Sequence, residues 1–326
     1  MATVSTPIAR RRRRSSASVR EAVEGYAAIS PWLIGFIVFT GGPILFSLYM
    51  SFTYWDLTNV PRWAGVQNYL DLTSDPRFWQ SLKVTLIYSV LALPLGLLAG
   101  LGLSLLLNLK LPGMNFFRTL FYIPSVIAGV AVAAIWMWTL NGQFGLLNYL
   151  LSFAGIHGPD WLGDPNFALY ALVLISLWGV GGGAVIYLAG LQNIPAQLYE
   201  AAAIDGAGIL ARFRSITLPL LSPTIFFLLV TGIIASFQTF TTVYILSGVN
   251  RDQPIGAPED STLFYLLYLY QQAFGSSKFG YAAAMAWVGA LISLALALIV
   301  FRSQSRWVYY ESERGEIGRA SCRERV

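Results

Sequence analysis

Glu200-Ala201-Ala202-Ala203-Ile204-Asp205-Gly206-Ala207-Gly208, running on through Phe213 and Ile216 to Leu218-Pro219 and Pro223, decides the reading of this chain. The residues on either side suit lipid, whereas this run is alanine-rich, charged and interrupted by glycine. Ala196 to Asp205 are good helix formers and predict a short helix. Gly206 and Gly208 permit a tight turn that a β-carbon would resist. A second short helix is predicted next, with Ile209, Phe213 and Ile216 spaced to share one face. Pro219 and Pro223 then suit the first turn of the following helix, where a missing N–H costs nothing. A helix–turn–helix too short to cross a bilayer, set between segments that are long enough, predicts a surface loop. Three alanines let another backbone approach closely, and Glu200 and Asp205 place two carboxylates near that contact. Arg212 and Arg214 supply the opposite sign one turn later. An amphipathic loop packed on its own bundle would satisfy the same chemistry.

The chain is 56% hydrophobic and 11% charged, against about 25% charged in soluble domains, so it belongs in a membrane. Apolar stretches long enough to span run approximately Pro31–Thr53, Val84–Asn108, Phe116–Leu140, Phe167–Leu191, Pro223–Ser247 and Phe279–Phe301. Lys and Arg then set the orientation. Arg10–Arg14, Lys110, Arg118, Arg212, Arg214, Arg302 and Arg306 fall on one side, and the loop Asn141–Asn166 on the other carries neither type. Arg62, Arg77, Arg251 and Lys278 on that second side are diluted by Asp56, Asp71, Asp75, Asp252, Glu259 and Asp260. Both termini and the Glu200 loop are therefore expected in the cytoplasm. The basic run Arg10–Arg14 reads as a solvated tail rather than a nucleic-acid arm, and no apolar stretch directly follows it as a cleaved signal requires.

The Glu-Ala-Ala spacing to Gly206 and on to Ile216-x-Leu218-Pro219 resembles the signature of ABC-importer membrane subunits. With Asp205-Gly206-Ala207, Phe213 and Pro223 it is most similar to the binding-protein-dependent carbohydrate permeases of the maltose and glycerol-3-phosphate kind. Gly65-x-x-Asn68-Tyr69, Asp75-Pro76-x-Phe78-Trp79, Phe144-Gly145-x-x-Asn148, Trp161-Leu162 and Asp164-Pro165 extend the likeness over about residues 30–302. The resemblance implies an all-α polytopic membrane protein with six transmembrane helices and the type I ABC-importer permease fold. It makes Glu200, Ala201, Ala202, Ala203, Asp205, Gly206, Ala207, Gly208 and Phe213 the coupling loop (residues 194–222). It also implies a second related permease, two ABC ATPase subunits and an extracytoplasmic solute-binding protein as partners. Residues 1–29 then form the Arg-rich tail, 30–302 the permease domain and 303–315 a cytoplasmic tail. Residues 316–326, with the lone Cys322, resemble a translated sequencing adaptor and are read as an artefact.

What is missing narrows the chemistry. His157 and Cys322 are each the only residue of their type, so no multi-histidine or cysteine metal site is expected. None of Lys83, Lys110 and Lys278 sits in a phosphate-cradling Gly-Lys-Ser/Thr context, so no cofactor or nucleotide is expected on this chain. The spans hold no Asp, Glu, Lys or Arg at their centres, which weighs against the alternative, an ion-coupled secondary transporter. Neutral polar groups remain. Gly232, Ser236 and Thr239 recur at i, i+4 and i+7 with Gln238 adjacent, Ser125 and Gly129 are i, i+4, and Ser176 and Gly183 lie on the fourth span. With Trp136, Trp138 and Trp178 nearby, these suit a polyol path. Interhelical hydrogen bonds and interfacial tryptophans account for them equally. Gly96 and Gly100 read as a small-xxx-small packing pair, and Pro94 as a kink; Pro124 in the third span and Gly181–Gly183 in the fourth suggest breaks of the kind tolerated where backbone lines a cavity or packs on protein.

Overall fold

A computed structural model describes residues 16–247 and 255–309. The Arg10–Arg14 run, Arg251, Asp252 and Glu316–Val326 with Cys322 lie outside them. Helix dominates, as it must where hydrocarbon offers the backbone no other hydrogen-bond partners. α1 (Ser16–Phe36), a π-helical turn (Ile37–Gly41) and α2 (Gly42–Ser51) form one continuous path. The first span thus begins before Pro31 and stops at Ser51, because Thr53–Tyr54 (β1) is drawn into an antiparallel pair with Arg62–Trp63 (β2). α3 (Gln67–Ser74) leads into α4 (Pro76–Leu107), whose first turn is capped by the Asp75 carboxylate accepting from the Arg77 N–H at 2.9 Å.

α4 is the pillar of the molecule. Its 32 residues extend about 48 Å, so it projects beyond the predicted start at Val84, and it packs against α8 (Pro165–Trp178), α9 (Gly181–Gln192), α12 (Leu218–Phe237) and α14 (Tyr265–Tyr270). Pro94 lies inside it without interrupting it. The third and fourth spans are broken. α5 (Met114–Val126) and α6 (Gly129–Thr139) meet at 95°, and after α7 (Leu146–Phe153), α8 (Pro165–Trp178) and α9 (Gly181–Gln192) meet at 47°. Counting each bent pair as one span gives six among the described residues, as the sequence predicts.

The fourth break precedes the Gly181–Gly183 run, which instead opens α9. The reason is packing: a Cβ on Gly181 would lie 1.9 Å from the Phe121 carbonyl oxygen of α5. Small residues let helix backbones meet where lipid supplies no hydrophobic drive for association. Gly100 lies beside the Tyr187 and Val180 side chains with room for ordinary contact, whereas its predicted partner Gly96 touches nothing and borders a cavity.

The loop that opened the analysis forms α10 (Ala196–Ile204) and α11 (Ile209–Arg212). A π-helical turn (Phe213–Thr217) then carries α11 straight into α12 (Leu218–Phe237), so the expected separate second helix is the start of the fifth span. Ile216 packs in the core while Ile209 is exposed, so the two do not share a face. Pro219 and Pro223 lie within this continuous path rather than at its start. α12 also ends earlier than predicted, at Phe237. The Ser236 and Thr239 hydroxyls bond back to the Ile233 and Ala235 carbonyls, competing with the backbone ladder. α13 (Thr241–Ser247) follows after the break at Gln238–Phe240 and packs on α6. α14 (Tyr265–Tyr270) and α15 (Phe279–Ser303) complete the bundle, α15 packing on α2, α3 and α12.

Buried residues gather at three levels along α4. Near its start Leu72, Phe78, Tyr265, Tyr268 and Met285 cluster; Val84 and Tyr88 join the middle cluster; and Tyr187, Leu191, Ile194 and Leu221 close the far end, with Leu101 and Leu105 packed against them. The β1–β2 hairpin and α10 therefore occupy opposite ends of the molecule. At the hairpin end, Asn68 and Phe78 are buried. Asn68 donates to the Ser51 and Thr53 carbonyls, tying α3 to the end of the first span. Arg77 forms a two-point pair with Asp260 at 2.8 and 3.0 Å and lies over the Tyr268 ring.

Candidate functional site

α10 ends in a left-handed Gly206 at φ +78°. The Gly206 N–H donates to Ala203 and the Ala207 N–H to Ala202 at 3.1 and 2.9 Å, the paired bonds of a Schellman C-cap that closes the last carbonyls of the helix. Only Gly206 needs to be glycine. Gly208 is extended, with φ −68°, and serves as the N-cap of α11, so the expected two-glycine turn rests on one residue.

This turn carries an apolar tip. Ile204, Ile209 and Leu210 are 87%, 83% and 63% exposed, and Ala201, Ala203, Glu200, Asp205 and Gly208 lie on the surface around them, with Ala202 and Ala207 half-buried. Glu200 and Asp205 form no ion pair among the described residues. The Arg212 Nε is buried without a hydrogen-bond partner among them, and Phe213 is half-buried where the π-helical turn starts. Contiguous exposed apolar groups of this kind mark a surface meant to be covered.

Behind the tip the loop is anchored. Tyr199 on α10 packs against Tyr187, Leu191, Ile194 and Leu221, and its hydroxyl lies 2.9 Å from the Thr217 Oγ1. α10 is thus fastened to the helix that crosses the membrane. Sequence reasoning missed Tyr199 and the exposure of Ile204 and Leu210; Tyr199, directly beside Glu200, is the one aromatic in the alanine-rich run and was the available signal.

Within the spans, a cavity of about 420 Å³ lies between α4, α8, α9 and α12. Five of the predicted path residues line it together: Ser176, Gly183, Gly232, Ser236 and Thr239. Tyr88, Ser176, Gly179 and Thr239 continue into a smaller chamber of about 160 Å³ that reaches Pro124 and Trp178 beside the broken third span. Irregular backbone at membrane depth is tolerated where it borders such a space. The other predicted residues are elsewhere. Ser125 bonds the Tyr122 carbonyl and packs by Gly182; Gly129 opens α6 against Thr241 and Thr242; Gln238 faces a lateral crevice with Phe237 and Leu294. Gln238 lies off the spacing that Gly232, Ser236 and Thr239 share, and the break at Ile127–Ala128 turns Ser125 and Gly129 onto different helices.

One wall residue, Tyr88, and the serine beside it went unnoticed in the sequence. Tyr88 borders both chambers, and the neighbouring Ser89 donates to the Ser236 Oγ at 2.8 Å, joining the second and fifth spans. A Tyr-Ser pair inside an apolar run was the signal. Trp136 and Trp178 meet edge to face at 5.7 Å, so one of the predicted sugar-stacking faces is already engaged by protein.

Residues 92–307 match the family described as binding-protein-dependent transport system inner membrane component. A probable ABC transporter permease protein of Bacillus subtilis is 46% identical over 304 residues, covering 92% of this chain and 96% of the relative. A trehalose/maltose transport system permease protein of Thermococcus litoralis is 37% identical, over 72% of this chain and 80% of its own. The fold is also similar to a chain in the crystal structure of a bacterial alginate ABC transporter in complex with an alginate pentasaccharide-bound periplasmic protein. There the TM-score is 0.78 and the identity 25%, over 90% of this chain and 98% of that one.

Proposed function

The chain belongs to the family of binding-protein-dependent transport system inner membrane components, and on that premise we propose that it is the permease subunit of an ATP-driven importer of a carbohydrate or related polyol. The relatives named for trehalose and maltose support the cargo class. In this reading both termini and the α10–α11 loop face the cytoplasm, following the Lys and Arg bias. A second permease completes the translocation path, two ATPase subunits hydrolyse ATP, and an extracytoplasmic binding protein delivers the sugar.

The observation that carries the proposal is the exposed apolar tip of a capped helix that is itself fastened to the fifth span. Ile204, Ile209 and Leu210 would enter a cleft on the ATPase, with Glu200 and Asp205 pairing at its rim. Closure of the ATPase pair would displace α10 and, through Tyr199 and Thr217, the helix Ile209–Phe237. Gly232, Ser236 and Thr239 would then move against Tyr88, Ser176 and Gly183, opening or closing the chamber. Its hydroxyls suit a neutral polyol, since they donate and accept in turn and leave no buried charge to be satisfied.

Affinity purification of the tagged chain in mild detergent from its own host, followed by mass spectrometry, tests the assembly. An ATPase and a second permease are expected from the unaltered chain. Glu200→Lys should still insert but lose the ATPase. Recovery of the chain alone at good yield would overturn the reading.

A further inference from the structure

We infer that a recess at the hairpin end of the molecule is a second saccharide site, separate from the chamber between the spans; this rests on the proposed function and deepens it. The recess measures about 700 Å³, within the roughly 300–1,000 Å³ typical of small-molecule sites. It shares no lining residue with the mid-span chamber. Its walls are the β1–β2 hairpin, α3, α14 and the start of α15, so it stands on folded elements. The floor exists because α15 approaches β1 closely: a Cβ on Gly280 would lie 1.8 Å from the Thr53 carbonyl oxygen.

The lining selects the ligand class. Trp55 and Tyr281 offer aromatic surface, Asp56 and Asp71 offer acceptors, and Arg62 and Lys278 offer donors. A pyranose presents an apolar C–H face and a rim of hydroxyls that both donate and accept, which this mixture matches. A purely apolar ligand would strand the charges. A polyanion would meet more carboxylates than cations, since Asp75 also lines the recess. No trio of metal-ligating side chains gathers among the described residues.

The acceptors are held in place before any ligand arrives. Asp56 receives the Thr58 and Asn59 N–H groups at 3.1 and 2.9 Å, and Asp71 receives the Gln67 amide at 2.9 Å. Each carboxylate has further lone pairs to offer. Arg62 and Lys278 form no ion pair among the described residues. Groups fixed in this way lose little freedom on binding. A sugar would rest here on the face opposite the α10 tip, ahead of its passage between the spans.

Photolabelling of the intact purified importer in nanodiscs, without its binding protein, tests the inference. The probes are diazirine derivatives of maltose, trehalose and lactose at millimolar concentration. Label is expected on the peptides carrying residues 54–62 and 272–281, and to be competed by the parent sugar. Asp71→Asn should reduce it about tenfold, the loss of one charge-assisted hydrogen bond. Trp55→Ala should abolish it, and Trp55→Phe, which restores a ring, should recover it. Label confined to the span peptides, or no label from any probe, would overturn the site. So would label that the parent sugar fails to compete but that added binding protein removes, which would mark the recess as a protein contact. ATP-dependent uptake measured with the same complex keeps the importer reading separate: intact uptake without recess label defeats this inference alone.

Discussion

Asp75 has three donors turned on it: the Arg77 N–H at 2.9 Å and the hydroxyls of Tyr268 and Tyr281 at 2.5 and 2.6 Å. Burial pushes its carboxyl up, but the two tyrosine hydroxyls and the backbone N–H outweigh it and hold the group below the usual carboxylate range. A carboxyl lower in the folded than in the unfolded state stabilises at neutral pH. That contribution fades only as the pH falls below about 4, through the folded value. Asp75→Asn keeps a competent N-cap and loses the charge, whereas Asp75→Ala loses both. Thermal unfolding in detergent at pH 7 should therefore rank wild type above Asn above Ala, with the Ala variant about 2 kcal/mol down. The gap between wild type and Asn should shrink as the pH is lowered toward 3. An unchanged gap across that range would remove the ionised carboxylate from the account.

At the scale of elements, two glycines two residues apart carry opposite demands. Gly181 has the Phe121 carbonyl where a Cβ would go, and Gly183 has open cavity. Gly181→Ala should force α5 and α9 apart, cost about 1–3 kcal/mol and lower the yield of assembled complex. Gly183→Leu should assemble normally and lower uptake by filling the chamber. The reverse ranking, with Gly183→Leu transporting freely, would take the chamber out of the path.

These glycines also show what the sequence conveyed. Length and hydropathy gave six spans because lipid thickness constrains them directly, and the motif around Glu200 and Gly206 placed the exposed loop. Pro124 and the Gly181–Gly183 run pointed to broken helix in the third and fourth spans, but not to the exact places, since the bends fall at Ile127–Ala128 and Gly179–Val180 where packing on neighbouring helices sets them. The early start of the fifth-span helix was hidden by the expectation that Pro219 and Pro223 begin a helix. The π-helical turn at Phe213–Thr217 lets the helix run through them. Gly232 and Ser236 reach the cavity together because i, i+4 spacing puts them on one face of α12, and Thr239 still joins them just past the helix end. Gln238, one position off that spacing, turns to the lateral crevice instead.

For the molecule as a whole, the two ends of α4 must lie on opposite sides of the membrane. Single cysteines placed at Ile204 and Val60 in a Cys322→Ser background test this, both sites being exposed. In right-side-out vesicles a membrane-impermeant maleimide should label Val60→Cys and leave Ile204→Cys unlabelled until the vesicles are opened. The opposite pattern would invert the topology.

The path Ile209–Phe237 runs for 29 residues, about 43 Å, through a π-helical turn and past Pro219 and Pro223 without the sharp bends that break the third and fourth spans. In the proposed importer such a rod behaves as a piston: a displacement applied near Tyr199 arrives at Ser236 with little taken up along the way. Movement at the loop and movement at the cavity wall are then a single degree of freedom. In the proposed importer, a kink introduced midway along it, at Leu228 for example, would act as a slipping clutch: the ATPase would still turn over, and the stroke would be spent in the bend instead of on the sugar.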